Sequence, residues 1–80
     1  MQDSQIYEKL TTIFHDLFDD KSILVGPDTS ASDVEGWDSF NHINLVLAIQ
    51  AAFAVKFSSG ELESMERVGD IVALLQKKLA

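Results

Sequence analysis

The chain contains no cysteine. Disulfides and thiolate metal sites are therefore excluded, and a cytoplasmic setting is the expectation. Basic residues are scarce. Six Lys and Arg stand against thirteen Asp and Glu, for a net charge of −7. A surface that neutralises nucleic-acid phosphates is not expected, whereas solubility and basic partners are. Long apolar runs are missing too. The most apolar stretch, Leu45 to Val55, is interrupted by Gln50 and falls well short of the roughly 20 residues a membrane span needs. Met1 to Glu8 mixes acids and polar groups and lacks the basic-then-apolar order of a targeting segment. Neither internal repeats nor low-complexity tracts occur, and no segment alternates with the period of a strand.

What is present is a helical pattern on a small scale. Eighty residues with 46% hydrophobic content allow one domain, spanning 1–80, with a modest core. A first helix is expected from Asp3 or Ser4, either of which can cap it, to about Asp19-Asp20-Lys21. Ile6, Leu10, Ile13, Phe14, Leu17 and Phe18 form its inward stripe. Residues 21 to 38 make a long connection punctuated by Gly26, Pro27 and Gly36. Loops of this length usually have a function or pack on themselves. Ile23, Leu24 and Val25, and later Val34 and Trp37, are the candidates for tying it to the core. A second helix begins at Asp38 or Ser39, and Ile43, Val46, Ile49, Ala52 and Phe53 follow at helical spacing. Ser58 and Glu61 have capping-box spacing for a short third helix, with Leu62 and Met65 as its core contacts. Val68, Ile71, Val72, Leu75 and Leu79 mark the inward face of a last helix, whose final turn holds Lys77 and Lys78, where positive charge suits the dipole. The expected architecture is an all-α, four-helix bundle with a long first loop and a short third helix.

Within that plan Gly36-Trp37-Asp38-Ser39 is the tetrad most informative about function. It sets a serine hydroxyl in the first turn of a helix, after a glycine-marked loop. A group attached there is accessible to solvent and to partners. An anion attached there meets unpaired backbone N–H groups and the positive end of the helix dipole. A phosphodiester carried on Ser39 suits such a place. His15 and His42 lie on different helices without ligand-like spacing, so no metal site is expected.

Gly36-Trp37-Asp38-Ser39-Phe40, Leu45 to Ile49, Phe53 and Val68-Gly69-Asp70-Ile71 together resemble an acyl carrier protein, and the resemblance covers essentially the whole chain. It implies a carrier and not an enzyme. In that family a serine receives 4′-phosphopantetheine from coenzyme A through a separate, magnesium-dependent phosphopantetheinyl transferase. The arm's thiol then holds the cargo as a thioester. By position Ser39 is the attachment residue, and Asp38 is expected to cap the helix and help position the transferase complex. A chain without cysteine needs such a prosthetic thiol. A Ser39–His42 dyad is the enzymatic alternative. It lacks a third orienting group and a nucleophile elbow, so His42 is expected to be a solvent-facing polar residue near the arm.

The chain departs from the family in its second helix, which in typical fatty-acid carriers is acidic and docks on basic enzymes. No acid lies between Ser39 and Gly60, where Lys56 is the one charged residue. Asn44, Gln50 and Ala51 stand where the resemblance leads one to expect glutamates. The expected docking stripe is Phe40, Asn41, Asn44, Leu47, Gln50 and Ala51, amide-rich and apolar. A carrier for a specialised pathway, serving acyl- or aminoacyl-loading and acyl-transferring enzymes, is the resulting expectation, with no membrane insertion and a monomeric state. An aminoacyl or peptidyl carrier, and a non-covalent helical adaptor that keeps the fold without an arm, are the alternatives.

Overall fold

The computed structural model describes residues 2–79. Four α-helices follow one another: α1 Asp3–Phe18, α2 Ser39–Phe53, α3 Ser59–Ser64 and α4 Val68–Leu79, with a 3₁₀ turn at Ala31–Asp33 in the first connection. No strand forms among the described residues. The one β-type contact is an isolated antiparallel bridge between Ser30 and Arg67. α1 is the platform, packing against both α2 and α4.

Apolar periodicity sets the core. Ile6, Leu10 and Phe14 of α1 meet Leu45, Val46, Ile49 and Phe53 of α2 and Val68, Ile71, Val72 and Leu75 of α4, with Val34, Trp37 and Met65 closing the edges. No charged side chain is buried among the described residues. Three expectations change. The residue preceding α1 is Gln2, whose N–H donates to Gln5 Oε1 at 3.0 Å, so neither Asp3 nor Ser4 lies outside the helix as its cap. Ile43 and Ala52 are exposed, and Leu45 takes the inward position between Trp37 and Ile49 in the sequence pattern. A helix apolar on nearly every side gives its sequence no phase, so spacing alone could not choose the buried face. Leu24 is 89% exposed and ties nothing down, while Ile23 and Val25 on either side pack against the core.

The long connection is fastened at several points. His15 Nε2 donates to the Ile23 carbonyl at 2.9 Å, holding the loop to α1. At the other side, Gly69 N–H donates to the Pro27 carbonyl and Val68 N–H to the Thr29 carbonyl, both at 2.9 Å. The approach at Gly69 is so close that a β-carbon there would lie 2.8 Å from the Pro27 oxygen. The first N–H groups of α4 are thus satisfied by the loop, which is why a stretch with little secondary structure holds its place. α3 carries the expected capping box: Glu61 N–H donates to Ser58 Oγ at 3.2 Å and Ser58 N–H to Glu61 Oε1 at 2.8 Å. Lys78 bridges α4 to α3, with Nζ 3.0 Å from Glu61 Oε1 and over the Phe57 ring.

Candidate functional site

The loop enters α2 through a tight, heavily bonded corner. Gly36 has φ +90°, a conformation L side chains rarely adopt, which accounts for glycine at this point. Its carbonyl accepts from Asp38 N–H at 3.1 Å and from Asn41 Nδ2 at 2.7 Å. Trp37 then turns inward, buried edge-on against Phe14 with ring centroids 5.2 Å apart. Asp38 is the N-cap of α2: its carboxylate accepts from Asn41 N–H at 2.8 Å and its carbonyl from His42 N–H at 2.8 Å. Ser39 follows as the first helical residue and is exposed. Buried Trp37, capping Asp38 and exposed Ser39 stand in consecutive positions. Ser39 therefore sits exposed on a fixed backbone at the start of α2.

Beside Ser39 lies an open cleft of about 620 Å³. Its lining includes Trp37, Ser39 and His42 from the entry to α2 and Leu62, Glu63, Met65 and Glu66 from the α3 region. His42 is not the solvent-facing residue expected. It is half-buried, its ring nearly parallel to Trp37 at 6.1 Å, and its Nδ1 accepts from Trp37 Nε1–H at 3.1 Å. Its Nε2 is buried without a hydrogen-bond partner. The dyad alternative has no orienting acid either, because His42 Nδ1 is held by the Trp37 indole. Sequence pattern gave no hint of this pairing, which depends on Trp37 turning inward just before the helix.

The residues of the expected docking stripe divide by structure. Phe40 and Leu47 are 75% and 56% exposed, and Ile43, at 60%, lies between them on the same face. Ala51 continues the exposed row one turn further on. Asn41, Asn44 and Gln50 are half-buried and already engaged. Asn41 bonds Gly36, Asn44 Nδ2 reaches Asn41 Oδ1 at 3.4 Å, and Gln50 Oε1 accepts from Phe57 N–H at 2.9 Å. The amides thus serve the corners of α2, and Ile43, assigned inward by spacing, joins the exposed apolar side.

A small four-helix bundle presenting an exposed serine at the start of its second helix has clear relatives. The chain is 31% identical over 75 residues to an acyl carrier protein of Thermotoga maritima, covering 94% of this chain and 93% of that protein. It is also 31% identical to an acyl carrier protein of Akkermansia muciniphila, over 96% of both chains. The solution structure of a holo acyl carrier protein from Geobacter metallireducens is 42% identical and matches with a TM-score of 0.85, over 91% of this chain and 84% of that one. No family model matches the chain. These likenesses span nearly the full length, and the chain belongs to the acyl carrier protein family. The family's role is to carry rather than to catalyse. No helix of the described residues is long and apolar enough to cross a membrane.

Proposed function

We propose that this carrier holds its cargo as a thioester on a 4′-phosphopantetheine arm joined to Ser39, for a specialised biosynthetic pathway and not the housekeeping fatty-acid cycle. The observation that carries the attachment site is the exposed hydroxyl of Ser39 immediately after the Asp38 cap, in the first turn of a 15-residue helix. On attachment the Ser39 Oγ gives up its proton and bonds to the coenzyme A phosphorus nearest the pantetheine, while the pyrophosphate P–O bond breaks and adenosine 3′,5′-bisphosphate leaves. The resulting diester anion lies at the positive end of α2, where the first-turn N–H groups and the helix dipole favour it. The arm supplies the thiol that this cysteine-free chain lacks. Asp38 fixes the helix start, and with it the direction in which the arm leaves, while the transferase, the loading enzymes and the acyl-transferring enzymes meet the protein around it.

The specialised role rests on α2. Between Ser39 and Gly60 there is no acid, and the exposed face offers Phe40, Ile43 and Leu47. Partners reading this helix do so by apolar contact and hydrogen bonding, with weaker steering from Asp33, Glu35, Glu63 and Glu66 at the rim. Intact mass after incubation with coenzyme A and a phosphopantetheinyl transferase tests the attachment. The wild-type protein gains one phosphopantetheine mass, and Ser39→Ala gains none while keeping its helical circular-dichroism spectrum, since alanine is a good helix former and Asp38 remains the cap. An arm found on the Ser39→Ala protein would refute the assignment. No gain with several transferases would favour a non-covalent adaptor.

A further inference from the structure

We infer that Asn41 is a positioning residue for attachment of the arm: its side-chain amide clamps the Gly36 corner and so holds Ser39 in the orientation that the phosphopantetheinyl transferase must find. This rests on attachment of the arm at Ser39. The spacing of α2 puts Asn41 in the expected docking stripe, but its polar groups are bonded within its own chain. Nδ2 donates to the Gly36 carbonyl at 2.7 Å, and Oδ1 accepts from Asn44 Nδ2 at 3.4 Å. The Asn41 N–H donates to the Asp38 carboxylate at 2.8 Å. One residue thereby ties the glycine and the cap to the body of the helix, with Ser39 between them.

The corner needs such a tie. Gly36 has φ +90°. Glycine reaches that conformation without steric cost and leaves it as easily, so the residue that permits the turn does not hold it. Two backbone bonds across the corner are longer and reach only two or three residues: Asp38 N–H to the Gly36 carbonyl at 3.1 Å, and Trp37 N–H to the Val34 carbonyl at 3.2 Å. Trp37 is fixed by its burial against Phe14, but Gly36, Asp38 and Ser39 are exposed, so packing constrains them little. An amide suits the clamp because it can donate to a carbonyl, which a carboxylate cannot. The Asn44 bond on Oδ1 keeps the nitrogen facing Gly36. Transfer depends on this order. Ser39 Oγ loses its proton and bonds to phosphorus as adenosine 3′,5′-bisphosphate leaves, with the attacking and leaving oxygens roughly in line. A corner that wanders presents the hydroxyl correctly for only a fraction of the time. The transferase captures that fraction, so apparent affinity falls in proportion while the bound complex reacts at its usual rate. Loss of the clamp is therefore read in KM and not in kcat.

The test uses the full-length apo carrier, coenzyme A and a broad-specificity phosphopantetheinyl transferase, with intact mass and peptide mapping to follow arrival of the arm on Ser39. Asn41→Leu removes the donor at nearly the same shape, and Asn41→Asp removes it and adds a charge. Both should raise KM for the carrier roughly two- to ten-fold, the effect of one hydrogen bond, with kcat unchanged. Gly36→Ala should do the same. A β-carbon there meets only ordinary contact, the nearest atom being Phe18 Cδ1 at 3.6 Å, but it disfavours φ +90°. Because both positions act on one corner, the rise in Gly36→Ala/Asn41→Leu should fall well short of the product of the single rises. Single effects that multiply would mean that Asn41 meets the transferase independently of Gly36, and would overturn the inference. So would an unchanged KM in Asn41→Leu, or a rise in Asn41→Asp alone, which would trace the effect to charge. In NMR of the wild-type apo protein, one Asn41 Nδ2 proton should exchange with solvent more slowly than those of the exposed Gln5. Equally fast exchange at Asn41 would overturn the clamp even if no variant folds. Absence of the arm from Ser39 of the wild-type protein would instead remove the attachment reading, and the inference with it.

Discussion

α1 and α2 are of nearly equal length, 16 and 15 residues, and lie against each other, yet they use their outward faces differently. α1 shows the usual division: Ile6, Leu10 and Phe14 are buried, while Glu8, Thr12 and Asp16 are exposed. α2 buries Leu45, Val46, Ile49 and Phe53 but presents Phe40, Ile43 and Leu47 to solvent, with no acid or base along its length apart from His42. Folding requires only one apolar face. The second apolar face of α2 contributes nothing to the core, and a contiguous exposed apolar row of this kind is what the proposed partner docking would use. Charge elsewhere in the chain works locally, on caps and turns such as Ser58–Glu61 and Ser30–Asp33. The contrast places structure on one side of α2, and on the proposed reading leaves the other side for recognition.

The strongest way to break this contrast is to truncate one leucine from each side. Leu45 is fully buried, and Leu45→Ala should destabilise the protein by about 2–5 kcal/mol through lost burial and the cavity left behind. In a domain of ordinary stability that is a large share of the total. Leu47→Ala, two positions away, should stay within about 0.5 kcal/mol in urea unfolding. The same Leu47→Ala protein should lose more than about 1 kcal/mol of affinity for an enzyme that uses α2 as its docking helix. Comparable unfolding midpoints for the two variants would show that α2 does not divide in this way.

Much of the fold was legible because it is local. The capping box at Ser58 and Glu61, the Asp38 cap and the stripes of α1 and α4 follow from spacing and short-range hydrogen bonds, and the structure has them all. The phase of α2 was not legible, since apolar residues on both faces leave two equivalent choices, and Ile43 was placed inward for that reason. Leu24 was misplaced because a three-residue apolar run in a loop does not say which member turns in. The exposure of Ser39 followed from its place after a cap. The state of His42 did not, because it depends on a tertiary contact with Trp37. Nor could spacing reveal that Asn41 and Gln50 are bonded to backbone at the two ends of α2.

A second and smaller effect should come from restoring charge to α2. Asn44→Glu, Gln50→Glu and Ala51→Glu together add three acids to a helix that has none. Glutamate at position 50 keeps an oxygen for the Phe57 N–H, so the exit from α2 should survive. Turnover by a housekeeping fatty-acid synthase component should rise roughly ten-fold at low salt, mostly through faster association. The gain should shrink at high salt, as the screening length falls from about 10 Å at 0.1 M to about 3 Å at 1 M. Recognition by the native partner should weaken in the same variant. Efficient use of the wild-type carrier by that component, unaltered by the substitutions, would count against a specialised α2.

The smallest effect expected lies where charge does serve the fold. The Ser58 backbone N–H, then the Lys78 ammonium, hold the Glu61 carboxyl below its ordinary range. The sign follows from linkage. Because the folded protein binds this proton less readily than the unfolded chain, the contribution of Glu61 is fully present above the ordinary glutamate value, near 4.5. It fades as pH falls through the lowered value in the folded protein. Glu61→Gln keeps an oxygen to accept from Ser58 N–H and removes the charge. The variant should therefore be slightly less stable than wild type at neutral pH, and the two should converge as pH drops below that range. Added salt should narrow the neutral-pH gap, since the pair with Lys78 is partly exposed. Thermal unfolding of both proteins from pH 7 down to pH 3, at low and high salt, measures this. A gap that widens on acidification would mean that the carboxyl is held above its ordinary value, and that the cap of α3 is built on hydrogen bonding without charge.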